Sequence, residues 1–191
     1  MAGTAIAPSA AYAGCCEPPP PITYAPCSTL GPIDWWYYNQ PPPYVQSGVR
    51  YNIVSWTPVF EPAHGRFIQN TTSQTFTGTW TATETRTVTF QTSFTVTIAS
   101  KAVMGTSITL AASVQVVQTR TTQLGVSATA QIPPHRTMLG EYGLQSLDVV
   151  MDVQTIGMLQ DRQTCAFVPG NVSRHTAHAP TINEGWRFTL Y

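Results

Sequence analysis

The amino-acid sequence predicts an all-β fold, in which an elongated antiparallel sheet carries a long threonine-rich amphipathic hairpin and a small cap rich in proline and aromatic residues. Two observations predict the hairpin: threonine alternates with apolar residues over residues 75–97, and a second alternating run covers residues 106–132. A third observation predicts the cap, because residues 14–62 combine runs of proline with clustered aromatic residues. We identify no segment with the 3.6-residue periodicity of an amphipathic helix.

The first run alternates with a period of two residues, which is the pattern of a β-strand. Every odd position from Thr75 to Thr97 is threonine except Gln91 and Ser93. The even positions, mostly apolar, are Phe76, Gly78, Trp80, Ala82, Glu84, Arg86, Val88, Phe90, Thr92, Phe94, Val96 and Ile98. An unbroken strand of this length would span roughly 80 Å, since a strand residue advances about 3.3 Å. Ordinary strands have about 5–6 residues, so a strand of this length is expected to have a role other than packing in an ordinary sheet.

The second run keeps its apolar residues in one phase: Ile108, Leu110, Ala112, Val114, Val116, Leu124, Val126, Ala128, Ala130 and Ile132. An antiparallel hairpin centred on Ala102 would pair apolar with apolar and charge with countercharge on one face. The predicted cross-strand pairs are Phe94 with Leu110, Phe90 with Val114, Trp80 with Leu124, and Glu84 with Arg120. A short apolar tip, residues 99–105, carries the only lysine of the chain.

The remaining segments predict shorter strands. Residues 137–158 alternate less cleanly, and residues 186–191 close the chain with another strand candidate. Proline fixes φ and donates no hydrogen bond, so the cap is expected to hold only short edge strands, around residues 49–56. The predicted organisation is a residual signal peptide (1–13), the cap (14–70) and an elongated antiparallel β domain (71–191).

The first thirteen residues predict export. They are small and apolar and end in Ala11, Tyr12 and Ala13, which has the A-x-A form of a signal-peptidase site. A positively charged start is missing, so the segment is interpreted as the tail of an export signal, and the protein is expected to be secreted. A lipoprotein acylated on Cys15 is the alternative, although Tyr12 stands where a lipobox usually has leucine. No apolar run of about 18 residues follows, so no transmembrane helix is predicted.

Four cysteines suit an oxidising compartment and allow three pairings: Cys15, Cys16, Cys27 and Cys165. Adjacent cysteines bond each other only with strain, which leaves Cys27 and Cys165 as the expected partners of Cys15 and Cys16. The N-terminal segment would then be stapled to the C-terminal one. A zinc site is the competing interpretation, but the spacing lacks the paired C-x2-C form.

Composition argues against several function classes. Charged residues make up 9% of the chain, with nine basic and nine acidic residues, and no basic cluster is available to neutralise phosphates. Nucleic acid is therefore not an expected partner. No nucleophile elbow, phosphate loop or metal spacing is present, so the sequence predicts no enzyme activity, no cofactor and no metal. His175 and His178, with His135, could bind a metal or sense acid pH, but solvated loop histidines are the simpler interpretation.

The distal half of the predicted hairpin has the features of a membrane-inserting element. Residues 88–98 and 106–116 give about eleven residues per strand, and a membrane-spanning strand needs about 9–11. One face is apolar and the other carries threonine, glutamine and serine, as in a transmembrane barrel. The candidate insertion residues are Val88, Phe90, Phe94, Val96, Ile98, Lys101, Val103, Met104, Ile108, Leu110, Val114 and Val116.

Two considerations qualify the membrane hypothesis. A half-buried sheet in a soluble protein shows the same alternation, with its apolar face packed on another layer. One hairpin cannot close a barrel, and open strand edges are not tolerated in lipid, so insertion would require a homo-oligomer. The alternative is a structural or adhesive extracellular β-protein that never enters a membrane.

The aromatic residues of the cap form a second candidate site, a recognition surface made of Trp35, Trp36, Tyr37, Tyr38 and Tyr44. Exposed rings of this kind could stack on a cell-surface glycan or sit among lipid headgroups. The alternative is that they pack the cap onto the sheet, because a small proline-rich segment needs large side chains to bury.

The order of these features resembles the aerolysin-like β-pore-forming proteins of the epsilon-toxin and mosquitocidal-toxin type. A long Thr/Ser-rich strand, a short tip and a second such strand lead into Ala130-Gln-Ile-Pro-Pro-His135. The chain is also similar to uncharacterised secreted actinobacterial proteins, through Tyr142-Gly143 and the late Cys165. The resemblance covers about half of the chain. It implies an elongated antiparallel sheet, a receptor-binding head outside it, and a hairpin, matching residues 88–116, that inserts after oligomerisation. The tip is shorter and the head smaller than in that family.

Overall fold

Three long antiparallel strands organise the molecule, and we refer to them together as the long sheet. The computed structural model describes residues 21–36, 46–159 and 163–191. The strands are β1 (Thr23–Pro26), β2 (Ile33–Trp36), β3 (Gln46–Gln69), β4 (Phe76–Thr81), β5 (Thr87–Thr89), β6 (Gln91–Thr92), β7 (Thr119–Thr121), β8 (Ser127–Ile132), β9 (Thr137–Met158) and β10 (Thr164–Leu190), with one α-helix, α1 (Ile98–Ala112), and a 3₁₀ turn at Cys27–Thr29. The long sheet is β3, β9 and β10; the strand order of the six-stranded sheet that contains it is β1-β10-β9-β3-β2, with β6 also paired to β10. The predicted all-β class is confirmed.

β3 is longer than the cap was expected to allow. It has 24 residues, so the prediction that this region holds only short strands around residues 49–56 is wrong. Its prolines are compatible with a strand because β2 pairs only with residues 47–50, among the described residues. Pro58 and Pro62 therefore lie on an open strand edge, where no backbone donor is required.

β9 is the central strand, and its buried face changes along its length. From Met138 to Ser146 the even-numbered residues are buried, whereas from Leu147 to Met151 the odd-numbered residues are buried. Successive strand residues point to opposite faces, so different layers cover opposite faces at the two ends. The strand predicted over residues 137–158 is confirmed, and its imperfect alternation follows from this change of face.

One covering layer is the small sheet of β4 and β8, whose Trp80 is fully buried with Ile132 and Met138. The other layer is α1, whose Met104 and Ile108 are fully buried in a cluster that contains Val149 and Met151. The chain between β3 and β9 therefore begins on one face of the long sheet and crosses to the other face at the edge of β10.

The disulfide joins Cys27 to Cys165, which are 138 residues apart, with a Cα–Cα distance of 5.0 Å. β1 pairs with β10 so that Pro26 lies opposite Thr164, and this register brings the two cysteines together. The predicted pairing of each with Cys15 or Cys16 is wrong, while the predicted staple between N- and C-terminal segments is confirmed. Cys15 and Cys16 lie outside the described residues.

Candidate functional site

The candidate site is the chain segment of residues 76–132, which we call the insert, because it leaves the long sheet after β3 and returns to it before β9. Its two arms pair antiparallel, as predicted, but in a different register. Trp80 lies opposite Ala128 rather than Leu124, a shift of four residues. The same register holds on both sides of Gly125, since Thr87 lies opposite Thr121, so the pairing of the arms is centred on position 104 rather than 102. Gly125 has a left-handed φ of +75°, and Leu124 beside it is 63% exposed.

The shifted register continues through stretches that are not regular strand. The Ala82 N–H donates to the Val126 carbonyl at 3.0 Å, and the Phe90 N–H donates to the Gln118 carbonyl at 2.8 Å. The arms therefore stay paired as far as Phe90 on one side and Gln118 on the other.

Each arm carries an arginine that binds a carboxylate of the long sheet. Arg86 forms an ion pair with Glu61 of β3, and Arg120 Nη2 lies 3.1 Å from Glu184 Oε1 of β10. The predicted pair of Glu84 with Arg120 is wrong, because the four-residue shift places Val88 opposite Arg120. These contacts fasten the arms to the sheet rather than to each other.

The threonine face of the first arm is as the alternation predicted. Every odd-numbered residue from Thr75 to Thr97 is exposed, whereas Trp80, Val88 and Phe90 are buried. The alternation therefore defines two faces even though only short parts of the arm are strand.

Beyond Phe90 the arms separate and run along the edge of β10. β6 pairs with Ala177 and His178, and the Ser93 N–H donates to the Thr176 carbonyl at 2.9 Å. On the returning arm, the Val117 N–H donates to the Pro180 carbonyl at 2.9 Å. The edge of β10 is thus covered by the insert at the point where the insert changes face.

Residues Ile98–Ala112 form α1, so the predicted short tip and the first half of the second strand are wrong. Thr97 is the N-cap and its Oγ1 accepts a hydrogen bond from the Ser100 N–H at 3.1 Å. The helix ends at Ser113, whose φ of 55° is left-handed. The predicted pair of Phe94 with Leu110 is wrong because Leu110 lies in this helix, and the pair of Phe90 with Val114 is wrong because Phe90 is bonded to Gln118.

The buried residues of α1 have a spacing that is compatible with a strand as well as with a helix. Its buried positions include residues four apart: Ser100, Met104, Ile108 and Ala112. A four-residue spacing repeats along one side of a helix and also keeps the even phase of a strand. Ile98 and Leu110 share that even phase, yet on the helix they are 84% and 67% exposed.

The other candidate insertion residues mostly pack the helix and first arm onto the long sheet. Val96, Val103 and Val116 are partly buried against the cluster around Met104. The Phe94 ring lies 4.2 Å from the His175 ring, and Lys101 Nζ donates to the Phe90 carbonyl at 3.3 Å. Val114, after the helix, is half-buried.

Two tyrosines of the long sheet lie near the insert. Burial, reinforced by the Asp34 carboxylate, raises the pKa of Tyr51 to about 12. Burial, with Glu184 nearby, also raises the pKa of Tyr142. Both phenols therefore stay neutral near neutral pH and are not activated as acids.

His175 and His178 lie within β10, so the expectation of loop histidines is wrong for both. His178 Nδ1 lies 2.6 Å from Asp148 Oδ1, and its Nε2 lies 3.4 Å from Glu61 Oε1. The sequence could not indicate this cluster, because its members come from three strands that are distant along the chain. His135 is exposed in the turn before β9.

The predicted recognition surface is described only in part. Trp35 and Trp36 lie on β2 and are half-buried, and Trp35 packs against the buried cluster that contains Cys165. Tyr37, Tyr38 and Tyr44 lie outside the described residues.

The described residues hold no group of three or more His, Cys, Asp or Glu side chains placed to bind a metal ion. Among the same residues, no helix combines the length and the apolar character that crossing a membrane requires.

No protein-family model matches the chain, and no curated protein matches it. One similar solved structure is a non-toxic crystal protein from Bacillus thuringiensis, with 12% identity, a TM-score of 0.31 and 88% of each chain covered. A second, from Bacteroides vulgatus and named as a candidate pore-forming toxin, has 12% identity and a TM-score of 0.33, covering 75% of this chain and 55% of that one. A third, parasporin-2 from Bacillus thuringiensis, has 11% identity and a TM-score of 0.26, covering 78% of this chain and 75% of that one. At these identities and TM-scores the likeness carries no argument about activity, which has to follow from the residues of this chain.

Proposed function

We propose that this chain is a secreted, non-enzymatic, aerolysin-like protein that forms membrane pores by oligomerisation, with residues 88–116 of the insert refolding into a β-hairpin. The observation that carries the proposal is the exposure of Ile98 and Leu110 on α1. Large apolar side chains at 84% and 67% exposure gain nothing from the helix. They would gain from a conformation in which both face lipid.

The register of the paired arms supports this alternative conformation. Continued through the helix, it places Ile98 directly opposite Leu110 and Phe94 opposite Val114. The even positions then form an apolar face that includes Met104 and the other apolar even-numbered residues. The odd positions, mostly threonine, serine and small residues, form the opposite face, which would line the lumen.

The length of the hairpin fits a bilayer. Its tip falls at Met104, and Ile98 is then six residues away, roughly 20 Å along the strand at about 3.3 Å per residue. With the strand tilted by about 45°, Ile98 and Leu110 would lie roughly 15 Å deep, near the middle of a hydrocarbon core about 30 Å thick. Lys101 would lie near the tip on the lumen face.

An arginine substitution at Leu110 tests the proposal without disturbing the folded monomer. Arginine on the lipid face near the midplane costs about 2–4 kcal/mol per chain, and every subunit of an oligomer would carry it. We expect Leu110→Arg to abolish dye release from liposomes. Its urea midpoint should equal that of the wild type, because the side chain is exposed in the folded form.

Leu124→Arg is the matched control, since Leu124 is 63% exposed in the same insert but lies outside the membrane-length segment. It should release dye like the wild type. Equal release by both variants would contradict the hairpin, and absence of release by the wild type across lipid mixtures and pH values would remove the pore function.

A structural or adhesive extracellular protein remains the second candidate, supported by the six buried residues of α1. In that case proteolysis of the insert should be the same with and without membranes. The half-buried Trp35 and Trp36 would then belong to a surface for glycan or lipid headgroups in either function.

A further inference from the structure

His178 has a carboxylate facing each of its two ring nitrogens. Nδ1 lies 2.6 Å from Asp148 on the neighbouring strand β9, and Nε2 lies 3.4 Å from Glu61 on β3, one strand further. Glu61 also binds Arg86 of the insert. When the imidazole is protonated, positive and negative groups alternate from Arg86 through Glu61 and His178 to Asp148.

The protonation state decides whether this arrangement is favourable. A protonated imidazole donates from both nitrogens and can satisfy both carboxylates. A neutral imidazole has one N–H, so its second nitrogen would present a lone pair to a carboxylate oxygen. Losing the proton therefore replaces an attraction with a repulsion at one of the two contacts.

The same histidine lies where the insert joins the edge of the long sheet. His178 is opposite Gln91 in the pairing of β6 with β10, and β6 has two residues. Two cavities, of about 500 and 400 Å³, adjoin this strand, and both are lined by Gln91 and His178. Both are open to solvent, so β6 is held on this side by its two-residue pairing with β10 beside this ring.

We propose that His178 is a pH-sensitive latch for the insert, closed when its ring is protonated and weakened when the ring is neutral. The groups that face it are Glu61 of β3, Asp148 of β9 and, through Glu61, Arg86 of the insert. Opening would free the first arm from the β10 edge. The consequence for membranes rests on the proposed pore function, whereas the latch itself is a property of the soluble chain.

Amide hydrogen exchange of the full-length protein tests the latch directly. Rates are compared at about pH 5.5 and about pH 8, which bracket the ordinary histidine range. They are expressed as protection factors, because exchange in an unfolded chain also accelerates with pH. We expect protection of residues 87–93 to fall about fivefold from the lower to the higher pH, the size expected for a partly exposed ion pair.

Two variants and a matched control sharpen the result. His178→Gln cannot be protonated and should show the low protection at both pH values. Glu61→Gln presents an amide that can donate to a neutral ring, so the pH dependence should disappear. His135→Asn is the control, because His135 is exposed in the turn before β9 and asparagine tolerates its left-handed φ of 55°. It should follow the wild type.

Equal wild-type protection at the two pH values would overturn the latch, as would a His178→Gln variant that follows the wild type. Dye release measured in parallel separates the two proposals. A pH-dependent exchange without leakage leaves the latch standing and removes the pore. Leakage with a pH-independent exchange does the reverse.

Discussion

The long sheet and the insert show opposite relations between sequence pattern and structure. The insert has the more regular alternation, yet its strands have two to six residues and are interrupted by a helix. β9 alternates less regularly and forms one continuous strand of 22 residues. The difference is in pairing: β9 is hydrogen-bonded to β3 on one side and to β10 on the other, whereas the arms of the insert pair mainly with each other. A period of two therefore predicts which residues share a face, and a strand also needs partners.

The two regions also differ in how they are held. The long sheet has long ladders with two register irregularities in each strand pair, whereas the insert is attached at its base, through Arg86 and Arg120, along the β10 edge and through its helix. Trp80 anchors its base, and Met104 with Ile108 anchors the helix. Substitutions at the base should therefore lower the stability of the whole protein, whereas substitutions in the helix should act locally.

The largest effect is expected for Trp80→Ala at the base. Trp80 is fully buried, its indole N–H donates to the Arg66 carbonyl at 2.8 Å, and a Cβ at Gly140 would lie 2.6 Å from its ring. Loss of such a side chain costs about 3–5 kcal/mol. We expect the urea midpoint of the whole protein to fall in one transition. If only the insert loosened while β9 stayed protected from hydrogen exchange, Trp80 would not be part of the core that stabilises the long sheet.

A smaller and local effect is expected for Met104→Ala in the helix. Met104 is fully buried, and its truncation should cost about 2–4 kcal/mol. Leu110→Ala is the matched control, since an exposed side chain changes stability by about 0.5 kcal/mol or less. Hydrogen exchange of residues 94–116 should accelerate strongly in the first variant and remain unchanged in the second. Equal acceleration of β3 and β9 would show that the helix is not a separate unit.

Several features of the fold could be predicted from the sequence because each depends on neighbouring residues. The exposed threonine face and the strand over residues 137–158 both follow from a period of two. The staple between the N- and C-terminal segments was predicted from the number and placement of the cysteines, but with Cys15 and Cys16 as partners instead of the Cys27–Cys165 pair. These signals need no knowledge of which strands are adjacent.

The features that the sequence did not predict depend on distant parts of the chain or on patterns that two structures share. The helix was missed because Met104 and Ile108 keep the same phase in a helix and in a strand. The N-cap at Thr97 is the local signal that could have indicated it. The register was missed because registers that differ by four residues keep the same two-residue phase, so the alternation alone does not distinguish Trp80 opposite Ala128 from Trp80 opposite Leu124. The cluster of His178 brings together three strands and has no sequence signature.

The smallest effect concerns Tyr51, where the long sheet meets the helix. Its hydroxyl lies 3.4 Å from Asp34 Oδ2, and burial followed by the Asp34 charge raises its pKa from 10.0 to about 12. A raised pKa means that the folded protein holds this proton more tightly than the unfolded chain does. The stabilisation is therefore complete below about pH 10 and is lost as pH rises through about 12, with a size of about 2–3 kcal/mol.

Tyr51→Phe separates this contribution from other alkaline effects. The variant cannot ionise at this position, so its free energy of unfolding should fall less than that of the wild type between about pH 9 and about pH 12. Tyr24, 56% exposed on β1, offers the matched control as Tyr24→Phe, which should keep the wild-type dependence. Urea unfolding at each pH, with tyrosinate absorbance as the titration record, provides the measurement. Equal losses in Tyr51→Phe and the wild type would mean that the contact between the long sheet and the helix does not depend on a neutral phenol.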